Sequence, residues 1–130
     1  MRATPFLMFQ DGRAEAALNL YVSLFPDAQI TSVQRYGPEG PGAEGTILQA
    51  RFELAGLSIM CIDSPVAHQF NFTPSFSFFI DCDDEEQLER LHSQLSDGGE
   101  SLMPLGSYGF SQKFAWLNDR FGISWQLNLP

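Results

Sequence analysis

One order of elements is written twice along this chain, and that repetition restricts the folds open to it more than any other feature. Pro5 to Phe9 is a short apolar run with strand character. Asp11 and Gly12 then open a segment that sets Ala14, Ala17, Leu18, Tyr21, Val22 and Phe25 at helical spacing. Pro26-Asp27 stops it. Ile30 to Tyr36 is Thr/Val/Tyr-bearing and strand-like, and the Gly/Pro-rich stretch 37–45 is a loop. Thr46 to Leu54 and Leu57 to Ile62 follow as strands, joined at Ala55-Gly56 with the brevity of a hairpin turn.

After a looser stretch, 63–73, the order starts again. Ser75 to Ile80 is a strand, and Asp83-Asp84-Glu85-Glu86 opens a helix with Leu88, Leu91 and Leu95 on one face. Gly98-Gly99 ends that helix. A short strand lies at Ser101 to Leu105, then a Gly-Ser-Tyr-Gly loop at 106–109. Gln112 to Leu117 and Ile123 to Leu129 are strands on either side of the turn 118–122. Pro5 and Pro74 precede each first strand, and Tyr36-Gly37 and Tyr108-Gly109 close each second one. The period of about 70 residues is too long for a solenoid and suits two fused half-domains. Each half of about 65 residues would be marginal alone, so the two, 4–64 and 74–130, are expected to share one α+β domain. Its expected form is two βαβββ modules building a cupped mixed sheet.

The 130 residues are enough for a core held without metals or disulfides, and 12 Phe supply bulky material for it. Sixteen acids stand against 7 bases, a net charge of -9, which repels a phosphate backbone or an anionic membrane surface and disfavours both as partners. The same charge attracts cationic small molecules, though it also simply maintains solubility. No window approaches the roughly 20 apolar residues of a membrane span. The N-terminus lacks the apolar run of a signal peptide, and Cys61 and Cys82 sit in apolar stretches without metal-ligand spacing. These features predict a cytoplasmic protein with two buried, reduced thiols.

Strand alternation divides the second half's residues between two faces. Phe76, Phe78 and Ile80 share one face, and Ser75, Ser77 and Phe79 the other. Likewise Ile123, Trp125, Leu127 and Leu129 oppose Ser124, Gln126 and Asn128. The apolar faces are expected against the helices. The neutral-polar faces are either solvated sheet or the lining of a ligand pocket, and their lack of charge favours the pocket. Trp116 and Trp125 are expected in the core. Arg51 and Lys113, within predicted strands, are the bases placed to anchor an anion if they are not on a solvent-facing side. The six acids from Asp81 to Glu89 sit where a helix dipole favours them, which explains them without catalysis or calcium. The loop 37–45 lacks the Gly-Lys-Ser/Thr ending of a phosphate cradle and is expected to be a mobile flap or a plain loop.

Three stretches carry a resemblance: Thr4-Pro5-Phe6-Leu7-Met8-Phe9, the helix Ala14 to Pro26, and Ala115-Trp116-Leu117-Asn118-Asp119-Arg120-Phe121-Gly122-Ile123-Ser124-Trp125-Gln126-Leu127. With two βαβββ halves they resemble the vicinal oxygen chelate superfamily of glyoxalases, extradiol dioxygenases and bleomycin-resistance proteins. Within it they resemble the PhnB-like branch, labelled demethylubiquinone methyltransferase-like. The resemblance implies a homodimer and a ligand cup in the sheet. It also implies a divalent ion held by His, Gln or Glu on the first and last strands of each half. The matching positions are Phe6, the neighbourhood of Met60, Ser75 and Gln126. Phe and Met are unsuited to a hard or borderline cation, Ser is a weak ligand, and Gln alone is not a site. His68 in the inter-half loop and His92 on the expected exposed side of the second helix do not replace them.

The expectation is therefore a metal-free protein, without cofactor, binding a small organic molecule, with cations among the candidates. The candidate lining residues are Phe6, Met8, Met60, Ser75, Ser77, Ser124, Gln126 and Asn128. The alternative is a lyase, isomerase or dioxygenase of the superfamily that has replaced the usual ligands. A methyltransferase comes last, because no glycine-rich turn follows the first strand to hold S-adenosylmethionine.

Overall fold

The computed structural model describes residues 1–130, and its elements follow the doubled order. The first set is β1 (Phe6–Phe9), α1 (Ala14–Leu24), β2 (Gln29–Arg35), β3 (Ile47–Leu54) and β4 (Leu57–Asp63). The second is β5 (Phe78–Asp81), α2 (Glu85–Ser96), β6 (Glu100–Gly106), β7 (Lys113–Asn118) and β8 (Ser124–Leu129). The chain divides into two compact units, Met1–Gln69 and Phe70–Pro130, each holding one βαβββ module. Each module makes its own four-stranded mixed sheet, in the orders β1-β4-β3-β2 and β5-β8-β7-β6. The first strand of each runs parallel to the last, and the other pairs are antiparallel. A parallel pair needs a long crossover, and here the helix and two further strands supply it.

In the first unit α1 lies against β3 and β4. Its Ala17, Leu18 and Tyr21 are buried, as are Leu7, Phe9, Ala50, Phe52, Ile59 and Cys61 on alternate strand positions. The helix has no side-chain cap of its own. Instead the buried Asp63, at the end of β4, accepts the Ala14 N–H on Oδ1 (2.9 Å) and the Ile47 N–H on Oδ2 (2.8 Å). One carboxylate thus fixes the start of α1 and the start of β3, in the place where a helix dipole favours an anion. The Tyr36 hydroxyl donates to the Asp63 carbonyl at 2.9 Å, and burial raises its pKa. The Gly/Pro-rich loop is folded onto that ring, since a Cβ at Gly42 would come within 2.5 Å of it. Gly42 is the point of contact, and the rest of the loop is exposed. Ala55 (φ 47°) and Gly56 (φ 81°) both take left-handed conformations, as a two-residue hairpin of the primed kind requires.

In the second unit Asp84 caps α2 by accepting the Gln87 N–H, and the Gln87 side chain accepts the Asp83 N–H. This reciprocal arrangement accounts for part of the acidic run. Leu88, Leu91 and Leu95 are buried, and α2 packs on β7 and β8. The sheet offers Ala115, Leu117, Trp125 and Leu127 as buried partners on one face.

Three expectations fail locally. β5 begins at Phe78 and not at Ser75, because the preceding residues turn: Phe76 N–H bonds to Thr73 O (3.4 Å) and the Thr73 and Ser75 hydroxyls bond each other (2.7 Å). Phe76 is consequently 59% exposed rather than part of the core, although its ring edge meets Phe78. Trp125 is fully buried, but Trp116, one position out of phase with it, lies only half-buried on the opposite face. His92 is half-buried on α2 instead of exposed, and desolvation lowers its pKa.

Candidate functional site

Each sheet has one face covered by its helix and one that no helix of its unit covers. In the second unit the register orders the helix-free face into rows. Phe79, Gln126, Trp116 and Met103 form one row, and Asp81, Asn128 and Phe114 the next. Ser124 pairs with Asn118 in a third. Of the residues expected to line a pocket, Ser124, Gln126 and Asn128 therefore share this face. Ser77 joins them by its hydroxyl contact to Ser124 (2.9 Å), and Trp116 Nε1–H donates to the same Ser124 oxygen (2.8 Å). Ser75 lies in the turn before β5 and bonds only Thr73.

Alternation in β5 and β7 also brings aromatic rings here, which the expected lining omitted. Buried Phe114 is ringed by Phe79, Phe110 and Tyr108, with centroids 6.2, 5.0 and 6.1 Å away. Those three rings are 53%, 61% and 41% exposed, an unusual concentration of accessible aromatic surface. The Tyr108 hydroxyl donates to Pro104 O (2.5 Å), which pins the loop that carries it. The signal for Phe79 and Phe114 was present in their strand positions, whereas Tyr108 and Phe110 come from a loop with no periodicity to read.

Polar groups on this face are incompletely satisfied. Asn128 Nδ2 donates to Asp81 Oδ1 (2.9 Å), but Asn128 Oδ1 and Asn118 Oδ1 are buried without a partner. A buried acceptor left unpaired costs about 1–3 kcal/mol. Such groups in a native structure call for an occupant, whether water or ligand.

In the first unit Phe6, Met60, Arg51 and Ser32 make one row of the helix-free face, with Met8 beside Ile62 in the next. Phe6 is half-exposed there. Arg51 is half-buried on this face, while Lys113 lies on the helix side of its sheet. Its ammonium donates to Glu85 and Glu89 of α2, so it is not available to a ligand. Two surface clefts of about 470 and 350 Å³ also occur in this unit. One lies at the β3–β4 turn and the other beside Asp11, Thr46 and Ser64; neither is lined by any of the eight expected residues.

The positions that the superfamily resemblance assigns to a metal do not fit one. Phe6 has no donor atom, Met60 offers only a thioether, Ser75 is engaged by Thr73, and Gln126 offers a neutral amide. No three His, Cys, Asp or Glu side chains gather closely enough to hold an ion. The His68 ring bonds the Ser64 hydroxyl (2.9 Å). Burial pushes the thiols of Cys61 and Cys82 up to about 12 and about 11, so both stay protonated and are poor ligands or nucleophiles.

Comparison with known proteins gives one family model, described as 3-demethylubiquinone-9 3-methyltransferase, matching residues 1–128. The PhnB protein from Bacillus cereus is 51% identical over the whole of both chains, with a TM-score of 0.96. Protein PA1353 from Pseudomonas aeruginosa is 25% identical over 99% of this chain and 97% of its own, with a TM-score of 0.84. A glyoxalase family protein from Enterococcus faecalis shares the fold at 18% identity, covering 98% and 96%, with a TM-score of 0.61. No curated protein sequence matches the chain. No helix is long and apolar enough to cross a membrane.

Proposed function

The chain belongs to the 3-demethylubiquinone-9 3-methyltransferase family, with a PhnB-like, glyoxalase-type fold, and from that premise we propose that it binds a small organic molecule on a helix-free sheet face without a metal ion. The observation that carries this is the second unit's face, where exposed rings surround Phe114 beside the buried, unpartnered Asn128 amide oxygen of the same register row. An apolar wall with a few oriented polar groups is what small-molecule sites offer. A lyase or dioxygenase of the superfamily type needs an ion, and the donor set at the expected positions is unsuited to one. The methyl-transfer activity in the family description needs a methyl donor, and the turn after β1, Gln10 to Arg13, has a single glycine. The free, buried Cys61 and Cys82 suit a reducing compartment, and the proposed assembly is a homodimer.

Thermal denaturation in the presence of aromatic amines, quinones and divalent ions tests the reading. A ligand at 100 times its Kd adds about 2.7 kcal/mol, or about 10 °C for a chain of this size. Organic compounds are expected to raise Tm in chelator-treated protein. Elemental analysis finding one tightly held ion per chain, or stabilisation by nickel, zinc or manganese alone, overturns it. Light scattering at twice the 14.5 kDa chain mass is expected for the dimer.

A further inference from the structure

We infer that the helix-free face of the second unit selects an organic cation, a protonated amine carrying an apolar body. The inference rests on the binding reading above and names the ligand class for the same face. Its basis is the balance of donors and acceptors left over once the protein's own bonds are made. Trp116 Nε1–H is spent on Ser124, the Tyr108 hydroxyl on Pro104, and Asn128 Nδ2 on Asp81, while the neutral Gln126 amide in the adjoining row offers a donor and an acceptor alike. Acceptors in the row of Phe114 are not spent: Asn128 Oδ1 has no partner, and Asp81 engages only one of its two oxygens.

No base compensates on this face. Lys113, the base of β7, is turned to Glu85 and Glu89 on the helix side. The row of Phe114 therefore presents the free oxygen of the exposed Asp81 carboxylate, with the buried Asn128 oxygen beside it, and no positive charge to match. An ammonium group supplies three N–H donors and a positive charge, matching both deficits.

The rings complete the fit. Aromatic faces attract ammonium groups through their quadrupole, and they also cover the apolar body of the ligand. Phe110 and Tyr108 stand edge-on to Phe114, at 73° and 89°, so ring faces point in more than one direction around it. Asp81 shares a register row with Phe114 through Asn128, which brings carboxylate and rings onto the same part of the sheet. The net charge of -9 adds a long-range field of the same sign preference.

The test is a titration at pH 7, followed by backbone amide NMR shifts, with three probes of one shape: 2-phenylethylamine, 2-phenylethanol and 3-phenylpropanoate. The amine is expected to bind at least tenfold tighter than the alcohol, with shifts centred on β5, β7 and β8, and the carboxylate more weakly than either. Asp81→Asn, which keeps an oxygen for Asn128, should cost the amine about tenfold and leave the alcohol unchanged. Phe110→Ala should weaken both. If amine and alcohol bind equally, or Asp81→Asn changes neither, the cation inference falls and the binding reading stands. If the carboxylate binds best, the inference is likewise overturned. If none of the three shifts this face at millimolar concentration, both the inference and the reading fall.

Discussion

Replacing Asp119 should unfold the second unit's β7–β8 connection at a cost that can be worked out bond by bond. Its side chain is 3% exposed and holds three donors: Phe121 N–H (2.8 Å) and Ile123 N–H (3.0 Å) on Oδ1, and Trp125 Nε1–H (2.9 Å) on Oδ2. Asp119→Ala leaves all three without an acceptor in a site closed to water. At about 1–3 kcal/mol for each unsatisfied group, with some relaxation of the turn, the loss is about 4 kcal/mol. With about 2.1 cal/mol/K of unfolding entropy per residue, 130 residues give a fall of about 15 °C in Tm. Asp119→Asn keeps the oxygen for the backbone donors and turns an NH2 toward the indole, so it should lose about half as much. Trp125→Phe removes the facing donor, so in that background Asp119→Asn should cost less, with a coupling of about 1–2 kcal/mol. Urea and thermal unfolding of the wild type, the three single variants and the Asp119→Asn/Trp125→Phe double variant measure this. A fall below 4 °C for Asp119→Ala, or a coupling near zero, refutes the assignment of Asp119 as a clamp.

Gly99→Ala should destabilise by more than about 2 kcal/mol, because its Cβ would lie 2.2 Å from the Asn118 carbonyl oxygen, whereas Gly37→Ala, with open space around it, should change Tm little; chemical denaturation compares them. Ellman's reagent at pH 8 should leave Cys61 and Cys82 unreacted in the native protein and label two thiols per chain in denaturant, since raised pKa values and burial suppress the thiolate; rapid native labelling would contradict the packing. His92 has its pKa lowered by desolvation, so the folded state resists its protonation. The unfolded chain takes up that proton first, so stability should be full above about pH 6.5 and decline as pH falls through that value toward the lower folded pKa. His92→Gln should flatten Tm between pH 7 and 5.5, and an unchanged slope would assign the pH dependence elsewhere.

Element order was legible in the sequence where a helix or strand buries one face, because one-sided burial leaves a periodic trace; β2, exposed along its whole length, is read only from its Thr and Val content. Leu88, Leu91 and Leu95 mark one side of α2, and Trp125 and Leu127 mark one side of β8; all five are buried. The trace fails where a side chain is held by something other than that face. Phe76 has the right phase for the core, but the turn from Thr73 releases it from the sheet before β5 begins. Trp116 is large and apolar, yet lies on a face that no helix of its unit covers, and hydrophobicity alone does not say which side a ring takes. Asp63 was invisible as a helix cap because it lies 49 residues from the N–H it accepts. The ring cluster was half legible: Phe79 and Phe114 follow from alternation, while Tyr108 and Phe110 depend on how one loop returns over the sheet.

The two modules show why a shared topology does not share its chemistry. Their helix-facing sides must both fill a core, and both are built of Leu, Ala, Phe and a buried thiol or indole. Their helix-free sides carry no such demand and have diverged. One row reads Phe6, Met60, Arg51 and Ser32, and its counterpart Phe79, Gln126, Trp116 and Met103. A substitution on the helix side therefore acts through packing and is read as stability. One at Asp81, Gln126 or Phe110 touches few core contacts and is read as affinity. That separation makes the face testable: a variant there that loses ligand while keeping Tm assigns a binding role that a change at Trp125 never can.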